Sequence, residues 1–331
     1  MIGASLALTL AQQAGTVGPW WLELSRYVPY TALLLPGMLA LPLACWLGWR
    51  WVAADLIALA AVAWLAMGFV WGQPDAGEMP LRLMTYNVKA YMAAERPNGY
   101  AELRHEVALH HPDILLAQDN RGSALAAALQ PGDAGDFALP HVFGIDQYII
   151  ASRYPLRDCH LVSVGDANPA TRYAECTVDV NGVALQVATV HFESPRGGLM
   201  AARREGLEGA DDWERNHTDR LAQARALAQM LRAAPRPLVL AGDLNAPQSS
   251  AVIRTLLDTG LRDAFASAGR GYGFSYGQAM RMRMNLGLAL SFLRIDHILV
   301  SPQIGVTDSF AGNGGASEHR PVIADLLLRR N

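Results

Sequence analysis

The stretch Leu238-Val239-Leu240-Ala241-Gly242-Asp243-Leu244-Asn245 places two polar side chains directly after a run of apolar residues. Such a run is typical of a buried strand, and a glycine lets the backbone turn at its end without a side chain in the way. Asp243 can accept or position a proton of water, and the Asn245 amide can donate a hydrogen bond to a phosphate oxygen. A simple turn would explain this motif if it stood alone, so its meaning depends on the other motifs of the chain.

Two motifs near the C-terminus add two acids and a histidine. They read Arg294-Ile295-Asp296-His297-Ile298-Leu299-Val300 and Ser317-Glu318-His319-Arg320-Pro321. Asp296 and Glu318 are 22 positions apart (318 − 296). An aspartate that accepts from one ring nitrogen of a histidine fixes its tautomer and stabilises its protonated form. Acids, an amide and a histidine at strand ends are the residue set that metal-dependent hydrolysis of a phosphoester requires.

The chain from residue 81 onward mixes strand and helix patterns. Strands are predicted at 81–88, 114–118, 148–155, 176–180, 183–191, 238–241, 294–300 and 322–328. Helices are predicted at 99–110, 218–233 and 251–257. The Asn181-Gly182 dipeptide predicts a type I′ hairpin turn. Residues 193–216 and 266–290 have no clear period, and we expect them to be loops over the site.

The order and spacing of these motifs resemble the endonuclease/exonuclease/phosphatase superfamily, the deoxyribonuclease I-like fold, over residues 81–328. Three further residues carry the resemblance: Asn87 in Thr-Tyr-Asn-Val, Asp119 after an apolar strand, and His191 in Thr-Val-His-Phe. The resemblance implies an α/β, four-layer sandwich of two packed β-sheets flanked by helices. It also implies hydrolysis of a phosphoester by direct attack of water. No covalent enzyme intermediate is expected, because no Cys or Ser lies in an activated setting.

The resemblance also implies a role for each motif residue. The catalytic positions are His319, Asp296, Asp243, Asn245, His191 and Asn87. The metal positions are Asp119, Glu318 and Asn87, and the expected ion is Mg²⁺ or Mn²⁺. The family has a Glu where this chain has Asp119 and an Asp where it has Glu318. One carboxylate is therefore a methylene shorter and the other a methylene longer, which changes the expected metal geometry without removing a ligand.

Residues 1–78 are expected to anchor the chain in a membrane, and residues 79–331 to form the catalytic domain. Two apolar stretches, about 28–48 and 52–72, are long enough to cross a bilayer. A pair of buried core helices is the alternative, and a third span within residues 1–22 is doubtful. Arg50 at the tip of the hairpin favours a cytoplasmic tip. The catalytic domain would then lie on the periplasmic side of a bacterial inner membrane.

Cysteine content and net charge give limited information about the compartment and the substrate of the protein. Cys159 and Cys176 could pair in an oxidising compartment or remain small buried apolar side chains. Residues 81–331 carry 25 basic and 26 acidic side chains, a net charge of −1. A protein that grips a long duplex usually has a basic face, so this balance makes a general nuclease less favoured.

Three hypotheses for the function remain open. The first is a phosphoester near the bilayer, such as a lipid headgroup, because the apolar stretch 286–292 follows Arg281 and Arg283. That stretch could equally be a buried strand. The second is an exported DNA or RNA endonuclease. The third is a membrane-bound binding protein that has lost catalysis, for which the Asp119/Glu318 exchange is the only support.

Overall fold

The structure is a computed structural model. It describes residues 7–8, 10–12, 18–95, 97–120, 125–128, 139–164, 171–206, 208–235, 237–277 and 291–329.

Two six-stranded mixed sheets form the centre of the fold, and a two-stranded ribbon accompanies them. The strands are β1 (Val70–Trp71), β2 (Met79–Asn87), β3 (Ile114–Gln118), β4 (His141–Ile145), β5 (Tyr148–Ser152), β6 (Leu156–Ser163), β7 (Arg172–Val180), β8 (Val183–His191), β9 (Leu238–Asp243), β10 (Arg262–Asp263), β11 (Arg270–Gly271), β12 (Asp296–Val300), β13 (Gly305–Ala311) and β14 (Val322–Leu328). One sheet has the order β10-β12-β9-β8-β7-β6, and the other β13-β14-β2-β3-β5-β4. The β8–β9 and β2–β3 pairs are parallel, and the other pairs within these sheets are antiparallel.

Helices cover the outer faces of both sheets. The α-helices are α1 (Trp20–Ser25), α2 (Leu35–Leu47), α3 (Trp49–Ala61), α4 (Ala90–Ala94), α5 (Ala101–His110), α6 (Leu125–Ala128), α7 (Arg196–Glu205), α8 (Ala210–Ala233), α9 (Ala251–Leu257) and α10 (Ala264–Ala268). A 3-10 turn at Tyr30–Leu34 precedes α2, and a π turn at Val62–Ala66 follows α3.

Three apolar cores hold the layers together. The first lies between the sheets, the second between one sheet and α8 and α9, and the third between the other sheet and α4 and α5. Since burial of apolar area is the main stabilising contribution to folding, this stacking stabilises both sheets at once. The prediction of a four-layer α/β sandwich is confirmed.

The two apolar N-terminal segments form a helical hairpin. The helical segments Tyr30–Leu47 and Trp49–Ala66 are long and apolar enough to cross a membrane. Large apolar side chains on them are exposed, as at Trp46 (81%) and Trp49 (76%). Such exposure disagrees with two buried core helices and is expected of a surface covered by lipid or a partner.

The second apolar helix is shorter than predicted. It ends near Ala66 instead of residue 72, because Val70–Trp71 forms β1 and pairs with Arg270–Gly271 in β11. The amide of Gln73 then donates to the carbonyl of Ser267. The chain leaving the hairpin is therefore attached to the sandwich by backbone hydrogen bonds.

Several other predictions can be compared with the structure. The hairpin turn is confirmed, with Asn181 at φ 51° and Gly182 at φ 90°. The prediction that 193–216 is a loop is wrong, since α7 lies within it and α8 begins at Ala210 instead of residue 218. The first turn of α8 carries Asp211 and Asp212 and has no apolar stripe, so its period was hidden.

The second predicted loop is described only in part. Residues 266–277 include the end of α10 and all of β11. Residues 278–290, with Arg281, Arg283 and most of the apolar stretch 286–292, lie outside the described residues.

Cys159 and Cys176 form a disulfide between the neighbouring strands β6 and β7. Of the two alternatives left open by the sequence, the structure therefore has the paired form.

Candidate active site

Strand register brings three of the predicted site residues side by side. In the first sheet, Asp243 at the end of β9 is paired with His191 on β8 and with Asp296 on β12. In the second sheet, Asn87 at the end of β2 is paired with Gln118, the residue before Asp119. Since the sheets pack face to face, these strand ends meet at one edge of the sandwich.

Gly242 is required because the two strands approach closely. Its φ is 155°, and a Cβ there would lie 1.9 Å from the carbonyl oxygen of Val190. After this residue the backbone turns, and Asn245 takes the left-handed conformation with φ 47°. The backbone amide of Asn245 then donates to Oδ1 of Asp243 at 2.9 Å, which closes the turn.

His319 and Asp296 form the predicted pair. Nδ1 of His319 donates to Oδ2 of Asp296 at 2.9 Å, and the Ser275 hydroxyl donates to the same oxygen at 2.6 Å. Because Nδ1 is held by the acid, Nε2 faces Asp243, whose Oδ2 lies 3.7 Å away. The ring is nearly inaccessible to solvent, with 2% of its surface exposed.

Asp243 lies at the centre of the constellation. Its Oδ2 accepts from Nδ2 of Asn87 at 2.9 Å. Nε2 of His191 is 3.5 Å from the same oxygen, and Nδ1 of His191 donates to Oε1 of Gln147 at 2.7 Å. Gln147 therefore fixes the His191 ring in the orientation that directs Nε2 toward Asp243.

The charges of these groups follow from burial and from their neighbours. Burial alone would raise the pKa of the Asp243 carboxyl, but His319, His191 and the Asn87 amide outweigh it and hold that pKa below its usual range. Burial favours the neutral form of His319, yet Asp296 and Asp243 raise the pKa of the ring. Burial lowers the pKa of His191, and nearby carboxylates compensate only in part. Of the two rings, His319 therefore retains its proton more readily.

Asn245 is held from both sides. Its side-chain amide donates to the carbonyl of Phe192 at 2.8 Å. Its own carbonyl accepts from the Tyr27 hydroxyl at 2.9 Å and from Nη1 of Arg220 at 3.0 Å. The side chain lines the cleft, but one of its amide hydrogens is already committed to the backbone of Phe192.

The two predicted metal carboxylates are each paired with a basic side chain. Nζ of Lys89 is 3.0 Å from Oδ2 of Asp119, and both side chains are 12% exposed. Nη2 of Arg196 is 3.3 Å from Oε2 of Glu318 and also donates to the Tyr276 hydroxyl at 3.1 Å. Neither partner was identified from the sequence.

A group of donors suited to a divalent cation is present in this cluster. Ligand atoms of Asp243, Asp296 and His319 all lie within 4.8 Å of one another. Oδ1 of Asp296 is buried and has no hydrogen-bond partner among the described residues. Carboxylate oxygens are the ligands that Mg²⁺ and Mn²⁺ prefer, so this group fits such an ion, whereas the predicted metal ligands Asp119 and Glu318 are not members of it.

The cluster forms the floor of a cleft of about 440 Å³. His191, Asp243, Asn245 and His319 are its polar floor, and Lys89 and Arg196 add positive charge to its walls. Its apolar side is lined by Tyr27, Leu199, Met200, Leu293 and Ile295. The cleft therefore offers positive charge for an anion beside an apolar surface.

Two glutamines and a serine of the site were missed by the sequence reasoning. Nε2 of Gln118 bridges the sheets, donating to Thr85 Oγ1 at 3.0 Å and to Thr189 Oγ1 at 2.8 Å. Gln147 orients His191, and Ser275 orients Asp296, the partner of His319. Only Gln118 had a sequence signal, since it directly precedes Asp119 at a strand end.

The comparison with known families agrees with this geometry. A family model described as the Endonuclease/Exonuclease/phosphatase family matches residues 84–319. The chain belongs to this family. Its members are hydrolases that act on phosphoesters.

Solved structures of the same fold share little sequence with this family member. A Bacteroides thetaiotaomicron endonuclease/exonuclease/phosphatase family protein is 16% identical, with a TM-score of 0.53, over 78% of this chain and 100% of the other. A mannosyl-6-phosphatase of the same species is 15% identical, with a TM-score of 0.53, over 75% and 100%. A D. rerio TDP2 complexed with single-strand DNA product is 16% identical, with a TM-score of 0.54, over 75% and 99%. A search of curated protein sequences found no match.

Proposed function

We propose that this protein is a membrane-anchored, divalent-metal-dependent phosphoester hydrolase that uses direct attack of water. The observation that carries the proposal is the buried cluster in which Asp243 lies between His191 and the His319–Asp296 pair. This cluster holds a proton acceptor and two imidazole groups at the floor of a cleft large enough for a phosphoester.

Each residue of the cluster has a proposed role. Asp243, which is ionised at neutral pH, accepts hydrogen from the attacking water. His319, held by Asp296, donates to a phosphate oxygen through Nε2. In its protonated form, His191 donates through Nε2 and stabilises the negative charge that develops on the phosphate, and Asn245 orients the substrate.

The motif resemblance assigns a Mg²⁺ or Mn²⁺ ion to Asp119 and Glu318, with Asn87 beside them, and not to the Asp243, Asp296 and His319 group. Bound there, it supplies charge neutralisation on the phosphate oxygens. Asn87 also orients Asp243 directly, through the 2.9 Å hydrogen bond of its amide.

The position of the cleft favours a substrate at the membrane surface. Tyr30 and Met67, at the ends of the two apolar helical segments, belong to the same apolar cluster as Leu293 and Ile295 of the cleft. If lipid surrounds the hairpin, the cleft opens at the level where lipid headgroups lie. The proposed substrate is therefore the phosphoester of a lipid headgroup.

The disulfide supports an extracytoplasmic catalytic domain. Disulfides persist in oxidising compartments such as the bacterial periplasm and are rare in the cytosol. Cys159 and Cys176 belong to the sandwich, so their bond agrees with a sandwich on the periplasmic side of a bacterial inner membrane.

The test is hydrolysis by the full chain in detergent and in proteoliposomes, with Mg²⁺ or Mn²⁺. Substrates are sphingomyelin, phosphoinositides, other anionic phospholipids, supercoiled DNA, RNA and bis-p-nitrophenyl phosphate, and His319→Ala is the control. We expect cleavage of a lipid phosphoester that is lost with EDTA and in the variant. Cleavage of DNA or RNA alone would replace the lipid proposal with an exported nuclease. Metal binding without turnover of any substrate would indicate a binding protein.

A further inference from the structure

Lys89 is the only lysine of the chain, and it lies at the candidate active site. Its ammonium is 3.0 Å from Oδ2 of Asp119, with both side chains largely buried. A buried ammonium of this kind is costly unless a carboxylate or another anion remains beside it.

The backbone holds this ion pair in place. Lys89 has the left-handed conformation with φ 45°, and its amide donates to Oδ1 of Asn87. The amides of Val88 and Ala90 donate to the carbonyls of Gln118 and Asp119, each at 3.0 Å. The ends of β2 and β3 therefore bring the ammonium and the carboxylate together independently of any ligand.

The same ammonium faces the substrate cleft. Lys89 lines it together with Asp243, His191 and His319. An ammonium is a compact positive charge that binds phosphate oxygens well and that also competes with a metal ion for a carboxylate. The Lys89 ammonium thus lies between Asp119, the predicted metal ligand, and the part of the cleft that the phosphate of a substrate would occupy.

We propose that Lys89 is a built-in phosphate ligand that competes with a divalent cation for Asp119. With the cleft empty, the ammonium remains on Asp119 and weakens metal binding there. With phosphate in the cleft, the ammonium contacts the anion and leaves the carboxylate to the metal. The inference rests on the proposed function for the identity of the anion and for Asp119 as a metal ligand.

The experiment uses the full chain in detergent and measures two affinities without any turnover. Mn²⁺ binding is followed by electron paramagnetic resonance, and binding of inorganic phosphate, without divalent cation, by calorimetry. Lys89→Met removes the charge and keeps most of the side chain. We expect it to bind Mn²⁺ about ten-fold more tightly and phosphate about ten-fold more weakly, the size of one charged hydrogen bond.

Two matched variants control for structural damage. Lys89→Arg keeps the positive charge, so both affinities should remain near those of the unchanged protein. In the Asp119→Asn background, Lys89→Met should give no gain in Mn²⁺ affinity over Asp119→Asn alone, because the contested carboxylate is gone. If Lys89→Met fails to fold, Lys89→Gln takes its place in both measurements.

In Lys89→Met, the Mn²⁺ affinity is expected to rise and the phosphate affinity to fall, and structural damage would lower both. Weaker binding of both ligands, or no change in either, would overturn the proposal, as would a gain in Mn²⁺ affinity that survives in the Asp119→Asn background. Both shifts can be observed in a protein that hydrolyses no tested phosphoester. Failure of the proposed hydrolysis and failure of the Lys89 assignment are therefore distinguishable.

Discussion

The Tyr27 hydroxyl donates a hydrogen bond to the carbonyl oxygen of Asn245, 2.9 Å away. Tyr27 precedes the first apolar helical segment, whereas Asn245 ends the Gly-Asp-Leu-Asn motif of the site. Arg220 donates to the same two groups, the Tyr27 hydroxyl and the Asn245 carbonyl. The ring of Tyr27 also packs edge-on against Trp213, at 5.2 Å between centroids. The N-terminal segment is thus part of the wall of the candidate active site.

Removing the Tyr27 hydroxyl should slow hydrolysis without unfolding the protein. Tyr27→Phe keeps the ring against Trp213, but loses the hydrogen bond to the turn that carries Asn245 and the one accepted from Arg220. One such bond contributes about 0.5–1.5 kcal/mol, so we expect kcat to fall roughly 2- to 10-fold. Tyr154→Phe, at a tyrosine whose hydroxyl pairs with Asn181, is the control and should leave kcat unchanged.

Deleting residues 1–78 should have a larger effect than the point substitution. It removes Tyr27 from the cleft and exposes Trp213, which is fully buried in the whole chain. We expect residues 79–331 alone to aggregate or to lose most of their activity, as measured by size-exclusion chromatography and turnover. A fully active monomeric fragment would show that residues 1–78 contribute nothing to the site.

Replacing Asp296 by Asn should impair catalysis much more than folding. The amide cannot hold the Nδ1 proton of His319 as the carboxylate does, so the ring loses its fixed tautomer. We expect kcat to fall about 10²- to 10⁴-fold, while thermal unfolding stays within a few degrees of the unchanged protein. Activity near that of the unchanged protein would remove the His319–Asp296 pair from the mechanism.

A buried ion pair near the site should make stability depend on acid pH. Nη1 of Arg294 is 2.6 Å from Oδ2 of Asp263, and Nδ1 of His297 is 3.2 Å from the same oxygen. Burial would raise the pKa of Asp263, but Arg294 and His297 outweigh it and place that pKa far below its usual range. Since the folded pKa is the lower one, stability from this group is present above the unfolded value of about 4 and is lost as pH falls.

Asp263→Asn tests this pair. The substitution leaves the Arg294 charge buried without its carboxylate, which costs about 3–5 kcal/mol at neutral pH. We expect this loss in the free energy of unfolding to shrink as pH falls below about 4, because protonation of the Asp263 carboxyl then favours the unfolded state of the unchanged protein. Chemical unfolding of the full chain in detergent at several pH values measures it; a loss independent of pH would contradict the assignment.

Breaking the disulfide should destabilise the sandwich without affecting the cleft. Cys159 and Cys176 are 17 residues apart, and closing a loop of that size contributes about 3 kcal/mol to stability in the chain-entropy account. Cys159→Ser, Cys176→Ser and the double variant should therefore lose similar amounts. Reductant should lower the unfolding midpoint of the unchanged protein and leave that of the double variant where it is.

The same cysteines report the compartment of the catalytic domain. Protein taken from membranes with its thiols blocked should show Cys159 and Cys176 protected from alkylation until reductant is added, if the domain lies outside the cytoplasm. Cys45, on the apolar hairpin and exposed, remains a thiol and is the internal control. Alkylation of both cysteines before reduction would place the domain in the cytoplasm.

Local patterns were sufficient to predict the motif residues at the strand ends. Asp243, Asn87 and His191 each end a strand whose periodicity could be read directly, and the structure places all three at one edge of the sandwich. The position of Gly242 was also predictable, because a turn directly after a buried strand favours glycine. What the sequence could not show was that Asn87 donates to Asp243, since 156 positions separate them.

Boundaries were less predictable where the pattern is weak. The helix Ala210–Ala233 begins with Asp211 and Asp212, so its first turns resemble a polar loop until tertiary packing is known. His297 directly follows Asp296 in the sequence, yet its ring is buried against Asp263 and the carbonyl of Ala246. Alternation along β12 accounts for this, because successive side chains of a strand face opposite sides of a sheet.

The sequence by itself determined the two-sheet sandwich, the family and the apolar hairpin, because each depends on periodicity or on motifs a few residues long. Tertiary structure alone decided which groups surround the candidate site residues. Lys89 forms an ion pair with Asp119, and Arg196 forms one with Glu318. Tyr27 donates a hydrogen bond to the carbonyl of Asn245. These contacts join residues that are 30 to 218 positions apart. Their geometry depends on how the two sheets, α7 and the segment that carries Tyr27 pack together. A local sequence pattern does not encode that packing.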